Sequence, residues 1–283
     1  MQNKPIIFCR WSPTLGGLED TAENIWGTPE YEGDRDEPTV FFGLYGLPDF
    51  YTLWRHRGKK WVLWAGSDIK HLAAGYHLDD GGGLKIDADQ LTPWLNKYCE
   101  NWCENEVERL MLHRLGIEAK VAPSFLGDVN EYQVTYKPND RPNVYLSANP
   151  GREVEYGWGL IEEIADKCEV DFHLYGSPDW QTKHHNVFVK GRVPKEQMNE
   201  EIKAMQCGLR LNEFDGFSEV TAKSILWGQY PFVWSTFKYQ GIESFSNREE
   251  LIALLNSLKF RTAPNPIRDF YKQKLNQFPW NQK

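Results

Sequence analysis

Residues 215–235 read Asp-Gly-Phe-Ser-Glu-Val-Thr-Ala-Lys-Ser-Ile-Leu-Trp-Gly-Gln-Tyr-Pro-Phe-Val-Trp-Ser. A helix is predicted over 218–227, because Ser218 is a favourable N-cap and Gly228 a favourable stop. A strand over 230–235 follows it. The N–H groups and positive dipole end of such a helix suit a diphosphate, and Gly216 lets the backbone approach closely. Many helices begin with glycine and serine, so this stretch needs support from the rest of the chain.

The residues around this stretch alternate between strands and helices. In the second half we predict strands at 143–148, 170–175, 187–190 and 208–211, and helices at 157–168, 195–207, 248–258 and 267–275. In the first half we predict strands at 5–11, 39–45, 60–65 and 118–123, and helices at 18–26, 48–57 and, in two pieces, 88–115. Residues 139–142 read as a linker. This alternation indicates two α/β units with parallel, doubly wound sheets, whose ligand cleft lies at the carboxyl ends of the strands.

The composition is that of a folded protein, with 41% hydrophobic and 25% charged residues in 283. The apolar runs have the length of strands, so we expect no integral membrane segment and a cytoplasmic protein. Cys99 and Cys103 lie one helical turn apart, but the sequence nearby offers no further pair of ligands. The cysteines therefore predict two thiols on a helix, and no metal site.

The net charge of −8 is concentrated in residues 1–138, which carry −7. An acidic half argues against a nucleic-acid partner there, since such partners need a basic face. The basic cluster at 55–60 either complements a helix dipole or contacts an anionic membrane surface, which would make the protein peripheral at the membrane.

Four blocks within residues 149–231 resemble the C-terminal domain of retaining GT-B glycosyltransferases, the glycosyl-transferase group 1 or glycogen-synthase-like kind. The blocks are Asn149-Pro150-Gly151-Arg152, Phe172-His173-Leu174-Tyr175-Gly176, residues 186–193, and Asp215-Gly216-Phe217 with Gly228-Gln229-Tyr230-Pro231. The resemblance implies an α/β fold of two Rossmann-like domains that face a central cleft.

The first half resembles the same family through fewer residues. Gly16-Gly17-x-Glu19 is similar to the loop after the family's first strand, and Gly66-Ser67-Asp68 to a block after a middle strand. The resemblance implies an abbreviated acceptor-side domain at 1–138 and a donor-binding domain at 139–262. A C-terminal helix within 263–283 is implied to cross back to the first domain.

Two positions depart from the family's pattern. The family's Glu-x7-Glu pair falls on Asp215 and Lys223, and a lysine cannot accept hydrogen bonds from ribose hydroxyls. Glu219 lies one turn before Lys223, so it either takes over the ribose or pairs with Lys223 on a solvated surface. The family's phosphate-binding lysine is here Tyr156.

The resemblance also implies which residues act. Arg152 is the first candidate for neutralising the departing diphosphate, Lys190 the second and Arg210 the third. Arg210 lies between apolar residues, which also suits a structural ion pair. Asp68 either orients an acceptor hydroxyl, acts as a base, or caps a helix. The implied donor-binding residues are Gly16, Gly17, Gly176, Arg192, Asp215, Gly216, Phe217, Ser218 and Glu219.

The predicted function is transfer of a sugar from a nucleotide-diphosphate sugar to an acceptor, with retention of configuration and without a metal. No cofactor is implied, because the nucleotide-diphosphate sugar is itself a co-substrate. The second half contains no Asp-x-Asp pair that would chelate a metal–diphosphate. The acceptor stays open between a glycan, a lipid-linked sugar, a small molecule and a modified base. Two alternatives remain, a catalytically inactive nucleotide-sugar-binding module and a nucleic-acid-base glycosyltransferase.

Overall fold

The computed structural model describes residues 5–15, 22–77 and 85–283, and the chain divides into two compact units. Unit 1 contains Met1–Asp128, Phe214–Phe217 and Lys274–Lys283, and unit 2 contains Val129–Glu213 and Ser218–Gln273. The domain limits inferred from the sequence, 1–138, 139–262 and 263–283, stay predictions. None of the described helices combines the length and the apolar character that a membrane crossing requires.

The strands of unit 1 are β1 (Phe8–Trp11), β2 (Thr39–Phe42), β3 (Lys60–Leu63), β4 (Tyr76–His77), β5 (Lys85–Ile86), β6 (Glu100–Cys103) and β7 (Ala119–Val121). Five of them form a parallel sheet in the order β1-β2-β3-β6-β7, while β4 and β5 pair as a short antiparallel ribbon. The sheet is parallel, as predicted. Its order follows the chain, however, without the reversal of a doubly wound sheet.

The helices of unit 1 are α1 (Leu47–Arg55), α2 (Ser67–Ala74), α3 (Ala88–Tyr98) and α4 (Glu106–Arg114). Because successive strand residues point to opposite faces, Phe41 and Val62 pack with these helices, whereas Trp61 packs on the other face. That second face is covered by three buried aromatic side chains, Trp26, Phe278 and Trp280. The last residues of the chain therefore belong to the core of unit 1.

Strand β6 corrects the prediction of a helical region over 88–115. Two helices are present there, but β6 lies between them and pairs with β3 and β7. Asn101 and Cys103 are buried, and Asn101 Oδ1 accepts a hydrogen bond from Trp64 Nε1 at 3.3 Å. The pattern of burial has the period of a strand, but a polar residue at a buried position hid it from an analysis of hydrophobicity.

The strands of unit 2 are β8 (Asn143–Ser147), β9 (Asp171–Tyr175), β10 (Val187–Gly191), β11 (Cys207–Gly208), β12 (Val233–Trp234) and β13 (Ser244–Phe245). Its helices are α5 (Trp158–Ile164), α6 (Lys195–Ile202), α7 (Glu219–Leu226), α8 (Arg248–Ser257) and α9 (Arg268–Lys274), the last of which ends where the chain enters unit 1. Four strands form a parallel sheet in the order β10-β9-β8-β11. The predicted α/β class is confirmed.

The strand order of unit 2 reverses at β8. The chain adds β9 and β10 on one side of β8 and later places β11 on the other side. Where the direction of winding changes, the connections leave the sheet on opposite faces and open a crevice at the carboxyl ends of the two neighbouring strands. The fold therefore points to the carboxyl ends of β8 and β11.

Candidate functional site

A cavity of about 270 Å³ opens at the carboxyl ends of β8, β9 and β11. It thus lies where the strand order of unit 2 reverses. Ten residues line it, Ser147, Ala148, Asn149, Tyr156, Tyr175, Gly176, Arg192, Val193, Met198 and Arg210. All of them belong to unit 2.

The charged side chains on the wall of this cavity are two arginines. Arg192 is exposed and Arg210 is half-buried. The described lining residues include no aspartate or glutamate. A concave site with two guanidinium groups and no carboxylate on its wall suits an anion, since arginine donates charge-assisted hydrogen bonds to phosphate.

Tyr156 lies between two candidate cations. The guanidinium carbon of Arg210 is 4.0 Å from the centre of the Tyr156 ring, and that of Arg152 is 5.3 Å from it. Arg152 also donates to Glu155 twice, from Nε at 2.8 Å and from Nη2 at 2.5 Å. The side chains of Arg152 and Glu155 are each half exposed. Arg152, the first candidate from the sequence, is therefore charge-paired on the surface and does not line the cavity.

Gly176 forms the turn that closes one wall of the cavity. Its φ of +113° is accessible to glycine, and a Cβ built there would overlap the carbonyl oxygen of Ala148. Its N–H donates to the carbonyl of Gly191 at 2.7 Å, while the N–H of Ala148 donates to the carbonyl of Tyr175 at 2.9 Å. These bonds bring the carboxyl ends of the three neighbouring strands together.

The stretch 215–218 is divided between the two units. Ser218 belongs to unit 2 and is the N-cap of α7, with its Oγ accepting from the N–H of Thr221 at 3.1 Å, which confirms the predicted cap. Residues 215–217 belong to unit 1. There the N–H of Gly216 donates to Asp215 Oδ1 at 3.0 Å, and the N–H of Phe217 donates to Glu104 Oε2 at 3.0 Å. Carboxylates thus accept from the two amides that the sequence assigned to a diphosphate.

Buried carboxyl groups surround this segment within unit 1. Glu104 and Glu108 are almost without exposed surface, and the N–H of Glu104 donates to Glu108 Oε2 at 2.7 Å. Glu104 Oε1 accepts from the hydroxyl of Ser124, whereas Glu108 Oε1 is buried without a hydrogen-bond partner. A Cβ on Gly216 would overlap the Glu104 carboxyl group, so a larger residue there would displace that group from its hydrogen bonds to Ser124 and Phe217.

The sequence analysis missed Glu104 and Glu108. Two glutamates four residues apart near a helix start are ordinary on a solvated surface. Only the strand β6 ahead of them, together with the N-cap Asn105 that accepts from Glu108 N–H at 3.0 Å, turns both side chains inward. Recognising residues 100–103 as a strand would have placed Glu104 at the carboxyl end of the sheet.

Asp68 has no exposed surface. Its Oδ2 accepts from the N–H of Leu44 at 3.0 Å and its Oδ1 from the N–H of Ala65 at 3.0 Å. The carboxyl group therefore ties together the chain segments that follow β2 and β3. These contacts support a structural role more than the binding of an acceptor hydroxyl.

Glu219 and Lys223 form the pair that the sequence left open. Glu219 Oε2 lies 3.5 Å from Lys223 Nζ, and Nζ also donates to Asn199 Oδ1 at 3.3 Å. Lys223 does not lie on a solvated surface, because its side chain is only 11% exposed, and burial lowers its pKa. Whether Glu219 binds ribose stays a prediction.

Three further predicted residues have these positions. Lys190 is exposed on the edge strand β10 and is not among the described residues that line the cavity. Burial, with Lys190 nearby, lowers the pKa of His173 to about 4. Gly16 and Gly17 lie outside the described residues. Across the described parts of the chain, no three His, Cys, Asp or Glu side chains are grouped to hold a metal ion.

Solved structures share this architecture over most of the chain. A lipopolysaccharide outer core galactosyltransferase, WaaB, matches with a TM-score of 0.58 at 12% identity, covering 96% of this chain and 94% of its own. The chain has a GT-B glycosyltransferase fold. An S. aureus TarM variant in complex with fondaparinux, α-GlcNAc-glycerol and UDP matches this GT-B chain with a TM-score of 0.52 at 13% identity, over 83% of this chain and 50% of TarM.

A trehalose-6-phosphate synthase studied for glycosyl transfer with retention also matches. Its TM-score is 0.53 at 11% identity, with 84% of the GT-B chain and 69% of the synthase covered. No model of a protein family and no curated protein matches the sequence. The chain spans about half the length of the TarM chain, so the likeness describes the fold.

The carboxyl groups around Gly216 predict a pH dependence of stability. Burial raises the pKa of Glu104 from 4.5 to about 7, and a raised pKa means that the folded state binds the proton more tightly. This contribution is fully present below pH 4.5 and is lost as the pH rises through about 7. For Glu104 alone the loss is on the order of 3 kcal/mol.

Glu104→Gln should therefore flatten the decline of the unfolding free energy between pH 5 and pH 8. Denaturant unfolding at several pH values measures it. Glu249→Gln, at an exposed side chain on α8, is the matched control and should leave the slope as it is. An unchanged slope in Glu104→Gln would mean that Glu104 is already ionised at pH 5.

Proposed function

We propose that this protein is a glycosyltransferase that moves a sugar from a nucleotide-diphosphate sugar to an acceptor. The carrying observation is the cavity at the reversal of strand order in unit 2, with Arg192 and Arg210 on its wall. Helical connections on both sides of such a reversal leave room for a nucleotide, and two arginines suit its diphosphate. The UDP bound to the TarM variant of the same fold supports this class of donor.

The reaction we propose breaks the bond between the anomeric carbon and the diphosphate oxygen. The oxygen of the acceptor hydroxyl forms the new bond to the anomeric carbon, and its proton passes to the departing diphosphate. Negative charge develops on the departing nucleoside diphosphate, so cations held next to it lower the barrier. The arginines of the cavity supply this charge, and we propose that the transfer needs no metal. The retention studied in the trehalose-6-phosphate synthase supports retention of configuration here as well.

The acceptor stays open between a glycan, a lipid-linked sugar, a small molecule and a modified base. The acidic balance of residues 1–138 argues against a nucleic-acid substrate. We propose that the protein works in the cytoplasm on soluble donor, with the exposed cations Arg55, Arg57 and Lys59 of the basic segment 55–60 as its candidate contact to a membrane surface.

A nucleotide-sugar-binding module without catalysis is the second candidate. It is supported by the pair that the buried Lys223 forms with Glu219 at 3.5 Å and by Tyr156, which stands where the family has a phosphate-binding lysine. Both would weaken turnover more than folding. Donor binding without any donor hydrolysis or transfer would favour this candidate over the enzyme.

A panel of UDP-, GDP- and ADP-sugars tests the proposed function. A donor at a hundred times its dissociation constant should stabilise the protein by about 2.7 kcal/mol. The midpoint temperature of thermal unfolding should then rise by roughly 5 °C with the sugars of one nucleotide and not with those of the others. No shift with any member at millimolar concentration would contradict the proposal. Transfer that EDTA abolishes and manganese restores would contradict metal independence alone.

A further inference from the structure

Arg210 is held by a rigid piece of backbone at the mouth of the cavity. Its neighbours Leu209 and Leu211 are buried at 1% and 3% exposure. The N–H of Leu209 donates to the carbonyl of Tyr145 at 2.9 Å, and the carbonyl of Leu211 accepts from Trp234 Nε1 at 2.8 Å. Because the apolar side chains on both sides of Arg210 are anchored in the core, its own side chain is directed to the cavity that it lines.

Tyr156 is fixed against Arg210 by the same backbone. Gly157 follows Tyr156 with φ +82°, and a Cβ there would overlap Leu211. The Tyr156 segment therefore packs directly on the residue next to Arg210. This contact sets the distance of 4.0 Å between the Arg210 guanidinium carbon and the centre of the ring.

Stacking on a ring uses the face of a guanidinium group, while hydrogen bonds leave from its edge. A stacked arginine is thus oriented before a ligand arrives, and it loses less entropy when it binds a phosphate. Tyrosine cannot supply the charge of the lysine that it replaces, but it can hold an arginine that does.

We propose that Arg210 binds the diphosphate of the donor and that Tyr156 is its positioning residue. The inference rests on the proposed function and refines it. Arg210 is half-buried, so its charge is less screened by water than that of the exposed Arg192. Arg152 is paired with Glu155 on the surface, and Lys190 is exposed on an edge strand. Neither of these two lines the cavity.

The test measures binding by calorimetry, with UDP, GDP and ADP as probes and the matching nucleosides beside them. For the diphosphate that the wild type binds, Arg210→Ala should weaken binding ten- to a hundred-fold and leave the nucleoside within about twofold. Arg210→Lys should recover part of the loss, because a point charge is kept and the planar edge is not. A nucleoside that binds as before shows that the cavity is intact.

Tyr156 separates a positioning role from a structural one. Tyr156→Phe keeps the ring and should bind the diphosphate like the wild type, whereas Tyr156→Leu should lose roughly three- to tenfold. Arg141→Ala is the control, because Arg141 pairs with Asp171 at the opposite, amino-terminal ends of β8 and β9 and should leave binding unchanged.

Two results overturn the inference in different ways. If the wild type binds a diphosphate and both Arg210→Ala and Arg210→Lys bind it within about twofold, Arg210 is not its ligand, while the proposed function stands. If the wild type binds none of the three diphosphates and none of their sugar derivatives, the proposed function fails and the inference fails with it.

Discussion

Gly176→Ala is expected to reduce the free energy of unfolding by about 3 kcal/mol. The backbone at Gly176 has φ +113°, where a side chain is strained, and the added Cβ would overlap the carbonyl oxygen of Ala148. The overlap is with backbone, so no side-chain rotation relieves it. The ends of β8 and β9 would have to separate, and the cavity wall between them would move.

Equilibrium unfolding in urea measures this loss. Gly159→Ala is the matched control, since Gly159 lies inside α5 and an added Cβ meets no atom within 4 Å. Alanine is the better helix former, so this variant should gain up to about 1 kcal/mol. A Gly176→Ala variant as stable as the wild type would show that the turn can relax, and the close approach would then carry no energetic weight.

Trp280→Ala is expected to cost about 3 to 5 kcal/mol. Trp280 has no exposed surface although it is the fourth residue from the C-terminal end of the sequence. Its ring stacks on Phe278 at 4.6 Å between centroids and contacts Trp61 and Trp102 edge-on or tilted. Removing it leaves a cavity on the face of the unit 1 sheet opposite helices α1–α4. These helices therefore cannot move in to fill it.

Unfolding in urea again measures the effect, and two further variants interpret it. Trp280→Phe should cost less than Trp280→Ala, because most of the ring contact is kept and Trp280 Nε1 is buried without a hydrogen-bond partner. Phe260→Ala, at a side chain that is 73% exposed, should change stability by less than about 0.5 kcal/mol. If Trp280→Ala matched Phe260→Ala, the C-terminal residues would not be part of the core.

Most elements could be predicted, because their signals are local. The period of the apolar residues marked the helices and the long strands, and Ser218 marked the start of α7 through a bond to Thr221, three residues away. Strand β6 could not be read in this way, because buried Asn101 gains its partner from Trp64, 37 residues earlier. The burial of a polar residue can be predicted only when its hydrogen-bond partner is known.

The candidate site shows the same limit more sharply. In the sequence, Arg152, Lys190 and Arg210 differ little as candidate cations, and the family resemblance ranked Arg152 first. Their environments separate them: Arg152 is paired with Glu155, Lys190 lies on the edge strand, and Arg210 lines the cavity. The residue type fixes the charge of a side chain, but its neighbours in space come from elements far apart in the chain.

The sequence by itself determined the α/β alternation, the parallel strands, the cap of α7 and the resemblance of the second half to GT-B glycosyltransferases. The alternation and the cap depend on contacts within a few residues, which a linear pattern records. The parallel pairing follows from the helical crossover between successive strands, which the same alternation predicts. Only the tertiary structure decided the strand order of each sheet, the burial of Glu104 and Glu108 around Gly216, and the packing of Trp280 in the same hydrophobic core as Cys9. Those depend on which distant segments meet, and that choice is made by the free energy of burying all of them together, not by any one stretch of the chain.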